Sequence, residues 1–144
     1  MAVNSMLNAK GRDVVTATQQ SSVGDVAKLL ASHRIGAVVI TGASGAIEGI
    51  VSERDVVRVF AEHGGDALKL LAREIMTKPV LTCTPADSEA ALMSLMTLKR
   101  IRHLPVVHDG KLHGMISIGD VVKFRIEAME RESEEMKAYI SQAG

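Results

Sequence analysis

Cysteine is nearly absent: the chain of 144 residues has one, Cys83. No intrachain disulfide can form, so a reducing, cytoplasmic compartment is expected and the fold must rest on its core. Cys83 sits in an apolar stretch and is expected to be a buried, inert thiol. Aromatics are equally scarce. Phe60, Phe124 and Tyr139 make up 2% of the chain, and there is no tryptophan. This removes the stacking platforms that normally hold single-stranded nucleic acid, and any bound base must lie between aliphatic side chains. Neither sign of charge is in excess, with 17 Lys+Arg against 17 Asp+Glu. No bulk attraction to nucleic acid or an anionic membrane follows. No apolar run reaches the ~20 residues of a membrane span, and the opening MAVNSMLNAKGRD lacks the apolar core of a signal peptide.

Catalytic and metal signatures are also missing. There is no Walker A sequence, no Gly-x-Gly-x-x-Gly and no evident nucleophile–base pair, so no enzyme is expected. His103, His108 and His113 are spaced by five along a hairpin, which alternates their faces, and no carboxylate or thiol has ligand spacing. No metal site is expected.

What the sequence does contain is itself, twice. GIVSERDVVR at 49–58 and GMISIGDVVK at 114–123 match at an offset of 65 residues. Upstream, 33–41 matches 99–107 and 13–30 matches 79–96 at an offset of 66. The one-residue slip falls in a hairpin loop, where a length change is tolerated. Each half reads as a short strand (14–16; 80–82), a helix capped by Ser22 or Ser88, a hairpin, and a second helix. The hairpins are expected to pair 37–40 with 47–51 and 104–107 with 112–116, with Asp109-Gly110 as a tight turn. The fold class is therefore α/β, of α+β type: two β-α-β-β-α repeats about a pseudo-twofold axis. The first repeat is placed at 6–62, a helical connector at 63–77, the second repeat at 78–126 and a helical tail at 127–144. The tail reads as a solvated helix or as a dimer contact. Methionines are read as core filler, with Met1 and Met6 as loose terminus.

Ser52-x-x-Asp55 and Ser117-x-x-Asp120 fall where a strand turns into a helix. Each is a capping box, a sufficient structural role that stabilises a helix by about 1 kcal/mol. The same geometry also offers a helix N-terminus for a phosphate and a carboxylate for a ribose diol.

The doubled motif, with REIMTKPVLTCTP at 73–85 and KRIRHLPVVHDGKLHGMISIGDVVK at 99–123, resembles a tandem pair of CBS domains, from about Met6 to Phe124. The resemblance implies a sensing or regulatory module, often a homodimer, that binds AMP or another adenosine-containing ligand (ADP, ATP, NAD(H) or S-adenosylmethionine) and signals to a downstream protein. It also implies two crossed clefts. In the first, Ser52, Arg54 and Asp55 would face Lys78, Pro79, Val80, Arg102 and His103. In the second, Ser117 and Asp120 would face Asp13, Val14, Gly36 and Ala37. Ile35, Ile50, Ile101 and Ile116 would line the adenine slots. The first cleft has the cations, so tighter phosphate binding is expected there. AMP has about 23 heavy atoms; at roughly 0.3 kcal/mol each, about 7 kcal/mol of binding follows, which is micromolar. The alternatives are a ligand-free interaction scaffold and a nucleic-acid binder, the latter disfavoured by the neutral charge.

Overall fold

The computed structural model describes residues 2–143. Elements follow in the order α1 (Ala2–Lys10), β1 (Thr16–Ala17), α2 (Val23–His33), β2 (Ala37–Thr41), β3 (Ile47–Ser52), α3 (Glu53–His63), a 3-10 turn (Gly64–Lys69), α4 (Ala72–Ile75), α5 (Glu89–Lys99), β4 (His103–His108), β5 (Lys111–Ser117) and α6 (Ile118–Ala143). This is the α/β architecture expected from the repeat, with a helical connector and a C-terminal helix.

Local chemistry accounts for most boundaries. Ser22 and Ser88 cap α2 and α5, accepting the N–H of Asp25 at 3.0 Å and of Ala91 at 3.1 Å. Arg34 and Arg100 end these helices in the left-handed region, each at φ 54°. Asp109 and Gly110 both take positive φ (52° and 74°), as a two-residue hairpin turn requires, and His108 pairs with Lys111 across it. One face of each helix is apolar: Val23, Val26 and Leu30 on α2, Leu92 and Met96 on α5, all buried.

The two halves differ at their first strand. In the first half β1 pairs parallel with β2 through Thr16 and Ala17, one to two residues later than expected, completing a three-stranded sheet. In the second half the strand expected at 80–82 does not form. It shrinks to one parallel bridge at Cys83, which donates to the Pro105 carbonyl (3.0 Å) and accepts from the Val107 N–H (2.8 Å). Cys83 is buried as expected, and burial, aided by Asp87, pushes its thiol pKa up to about 12.

Two cores result, one per half. The second contains a correction. Met6 is not loose terminus: with Val3 and Leu7 on α1 it is buried in the second core beside Leu104, Ile116 and Val121. Met1 lies outside the described residues. Ile116 is fully buried there, so it is core and not a slot wall.

The matched glycines of the opening repeat explain how the halves are stitched. A Cβ on Gly114 would lie 2.5 Å from Leu7 Cδ2, and one on Gly49 would overlap the Met76 thioether. Each glycine is thus a notch for a side chain that precedes the opposite repeat. Leu7, ahead of the first half, seats on β5; Met76, ahead of the second, seats on β3.

Candidate functional site

A cleft between the halves is lined by Gly36, Ile50, Ser52, Glu53, Arg54, Asp55, Thr77, Arg100, Ile101, Arg102 and His103, with a volume of about 240 Å³. It joins the start of α3 to the segment that leads from α5 into β4. Ser52, Arg54 and Asp55 from the first half thus meet Arg102 and His103 from the second. Lys78, Pro79 and Val80 follow directly after the lining residue Thr77 and do not themselves line it. Gly36, expected on the second cleft, is in the first. A Cβ there would lie 2.8 Å from the His103 ring and 2.9 Å from Glu53 Oε1, so the bare glycine lets the imidazole lie across the wall. Ala37 is buried at the start of β2, while Asp13 is exposed and Val14 half-buried before β1.

Asp55 is the one buried charged side chain among the described residues, at 7% exposure. Its Oδ2 accepts the Ser52 N–H at 2.9 Å and the Ser52 hydroxyl at 3.1 Å; Ser52 Oγ in turn accepts the Asp55 N–H at 3.3 Å. The capping box is real, and it uses one carboxylate oxygen. The other, Oδ1, has among the described residues only the half-exposed Arg58 guanidinium, at 3.5 Å. A buried carboxylate on a cleft wall, with one oxygen outside the capping box, can accept further hydroxyl donors at little extra desolvation cost.

Three arginines, Arg54, Arg100 and Arg102, also line the cleft. Arg54 donates to the Arg100 carbonyl at 3.4 Å, a link between the halves, and the Arg102 guanidinium makes no hydrogen bond or ion pair among the described residues, while its carbonyl accepts the Ile118 N–H at 2.8 Å. Burial pushes the His103 pKa below the ordinary histidine value, with Glu53 opposing, so the imidazole is neutral in the free protein near pH 7. Ile50 and Ile101 supply the apolar walls. The site can present a carboxylate, aliphatic walls and a guanidinium cluster to one small molecule.

Glu53, Thr77 and Arg100 were not expected in this cleft. A signal existed for Arg100: Arg34 and Arg100 match at the 66-residue offset and end equivalent helices. Glu53 and Thr77 carry no comparable mark.

The second Ser/Asp pair repeats the capping geometry. Asp120 Oδ2 accepts the Ser117 N–H at 2.8 Å and the Ser117 hydroxyl at 3.0 Å. Here, however, the same oxygen also takes the Lys10 ammonium at 2.7 Å, and Lys10 Nζ donates to the Met115 carbonyl at 2.9 Å. Burial opposes ionisation of Asp120, but Lys10 and Ser117 together outweigh it and hold its carboxyl below the usual carboxylate range. The position matching Met115 in the first half is Ile50, whose carbonyl accepts the Thr77 N–H at 2.9 Å. A backbone amide therefore stands in the first cleft where a cationic side chain stands in the second.

No group of His, Cys, Asp and Glu among the described residues could hold a metal ion, and no described helix is long and apolar enough to cross a membrane.

Comparison with known proteins agrees with this reading of the repeat. The CBS-domain family profile matches twice, at residues 10–62 and 72–127. A CBS-domain containing protein of Agrobacterium tumefaciens superposes with a TM-score of 0.84 at 46% identity, over 85% of this chain and 98% of that one. A CBS domain protein of Pyrobaculum aerophilum, solved in complex with AMP, superposes with a TM-score of 0.72 at 30% identity, over 83% and 89%. A mitochondrial CBS domain-containing protein of Arabidopsis thaliana is 33% identical over 96% of this chain and 71% of its own length.

Proposed function

Because the chain belongs to the CBS-domain family, as a tandem pair, we propose that it is a regulatory module that binds an adenine nucleotide, AMP first, in the cleft between its halves. The observation that carries this reading is the convergence of Asp55 and Ser52 from one half with Arg102 and His103 from the other on a single cleft. Asp55 Oδ1 would accept the ribose hydroxyls. Ile50 and Ile101 would enclose the adenine, and backbone groups near Thr77 to Val80 would meet its edge. Arg54, Arg100 and Arg102 would hold the phosphate through their planar donor forks. The AMP complex of the Pyrobaculum relative supports this ligand class.

One nucleotide per chain is proposed, in the first cleft, because Lys10 already engages Asp120 in the second. ADP, ATP and NAD(H) would extend from the same mouth. The module acts as a homodimeric sensor in the cytoplasm, without catalysis of its own, by shifting between states that differ in nucleotide affinity and so in the surface offered to a downstream protein.

Calorimetry with AMP tests this on the native chain, Asp55→Ala and Asp120→Ala. Asp55→Ala is expected to weaken AMP by roughly tenfold to a hundredfold, the worth of hydrogen bonds to a charged group. Asp120→Ala leaves the affinity unchanged. If Asp55→Ala lowers the melting temperature and leaves affinity intact, the capping box is the whole role of the pair; absence of any AMP-induced shift in the melting temperature of the native chain makes the fold a ligand-free scaffold.

A further inference from the structure

α6 does not stop where the second core ends. Its first turns pack on the core through Val121, with Phe124 alongside, and from Arg125 to Gln142 the helix is exposed except for partial cover at Ala128. A single projecting helix with this little packing is marginal in water, since helices of this size owe most of their stability to a buried face.

That face exists and has no partner in the chain. Val122, Ile126, Met129, Met136 and Ile140 are all exposed, by 44–61%. With Ser133 they recur at alternating steps of four and three, the spacing of a coiled-coil seam. Ile126, Ser133 and Ile140 take one set of core positions; Val122, Met129 and Met136 take the other. We propose that this stretch pairs with the same stretch of a second copy as a parallel two-stranded coiled coil. The inference rests on the homodimer reading above and is independent of nucleotide binding.

The charges beside the seam choose both partner and direction. In a parallel pair each residue just before an Ile126-type position faces, on the other strand, the residue five further on. Arg125 then meets Glu130, and Glu132 meets Lys137, so every charged flanking pair is complementary in a pair of identical strands. The antiparallel arrangement that closes the same seam sets Glu130 against Glu130, Glu132 against Glu132 and Lys123 against Lys137. Self-pairing in parallel is favoured by every one of these contacts. Arg125 also lies 3.8 Å from Glu89 of its own chain, so the Glu132–Lys137 pair is the cleaner one to alter.

The test uses the full chain. Met136→Cys places a thiol on the seam, and Arg131→Cys places one on the outer face. Under mild oxidation at low micromolar protein, Met136→Cys is expected to form a disulfide dimer at least tenfold faster than Arg131→Cys. Adding Glu132→Lys or Lys137→Glu to Met136→Cys slows cross-linking about tenfold, and mixing the two charge variants restores it. Sedimentation of the native chain separately counts the copies. A native monomer overturns the homodimer reading and this inference together. A native dimer in which Met136→Cys cross-links no faster than Arg131→Cys overturns the coil alone, as does a rate insensitive to the charge changes.

Discussion

Lys10 and Asp120 are joined at 2.7 Å although 110 residues separate them. The contact makes two near-identical halves unequal. α1 carries Lys10 to the second carboxylate because Leu7, one turn earlier, is seated against Gly114. At the first carboxylate the corresponding carbonyl is met by Thr77, which brings no charge. Lys10 bonds the same Oδ2 that closes the capping box, and its ammonium stands in the second cleft where the first has only a backbone amide.

Lys10→Ala is therefore expected to raise the AMP stoichiometry from one to two per chain. The cost to stability is small, about 1 kcal/mol or less, since Lys10 is more than a third exposed and such pairs are screened. Titration calorimetry and a thermal melt read the two effects. An unchanged stoichiometry would mean that something other than Lys10 closes the second cleft.

The notch can be filled instead. Gly114→Ala puts a methyl group 2.5 Å from Leu7 Cδ2, which is relieved when Leu7 changes rotamer or α1 shifts. The expected cost is about 1–3 kcal/mol, that of overpacking a core, together with faster amide exchange across residues 2–10. Gly114→Ala with wild-type stability would show that α1 is not clamped there.

Acid stability has a definite sign. The folded pKa of Asp120 is depressed below its ordinary 3.8. The unfolded chain therefore takes up this proton first, and the contribution is complete above about pH 4 and lost as pH falls through the folded value. Asp120→Asn should be less stable than the native chain at pH 7, with the gap narrowing below pH 4 in urea melts. A gap constant down to pH 2 would rule out ionisation as the source.

His103 gives a second linkage. Its folded pKa is lowered by burial, so its contribution to stability is present above about pH 6.5 and declines as pH falls toward the folded value. A phosphate beside it would favour the protonated ring. AMP binding should then take up a proton, and affinity should rise between pH 8 and pH 6 more steeply than in His103→Gln, which retains the phosphate's own titration. Parallel pH profiles would remove His103 from the phosphate site.

The sequence was legible where its signals are local. Ser22, Ser88 and the two Ser/Asp boxes are short-range hydrogen bonds, and Asp109-Gly110 follows from the φ angles of one turn. The doubled motif marked Ser52 and Asp55, and the family resemblance it carries implied Arg102 and His103 beside them; all four line one cleft. What escaped was set by distant packing. α1 presents Val3, Met6 and Leu7 at helical spacing, but the core that buries them, with the Gly114 notch that seats Leu7, comes from the second half of the chain. The strand expected at 80–82 has the right composition but pairs only at Cys83. Glu53 and Thr77 enter the cleft through the crossing of the halves, which no local pattern encodes.

The most direct measurement is a crystal structure of the native protein soaked with AMP. The account predicts one adenylate per chain in the Asp55 cleft, with both ribose hydroxyls within hydrogen-bond distance of the Asp55 carboxylate, the phosphate on Arg102, and Lys10 still on Asp120. An empty cleft at saturating AMP, with Asp55 bonded only to Ser52, would contradict it.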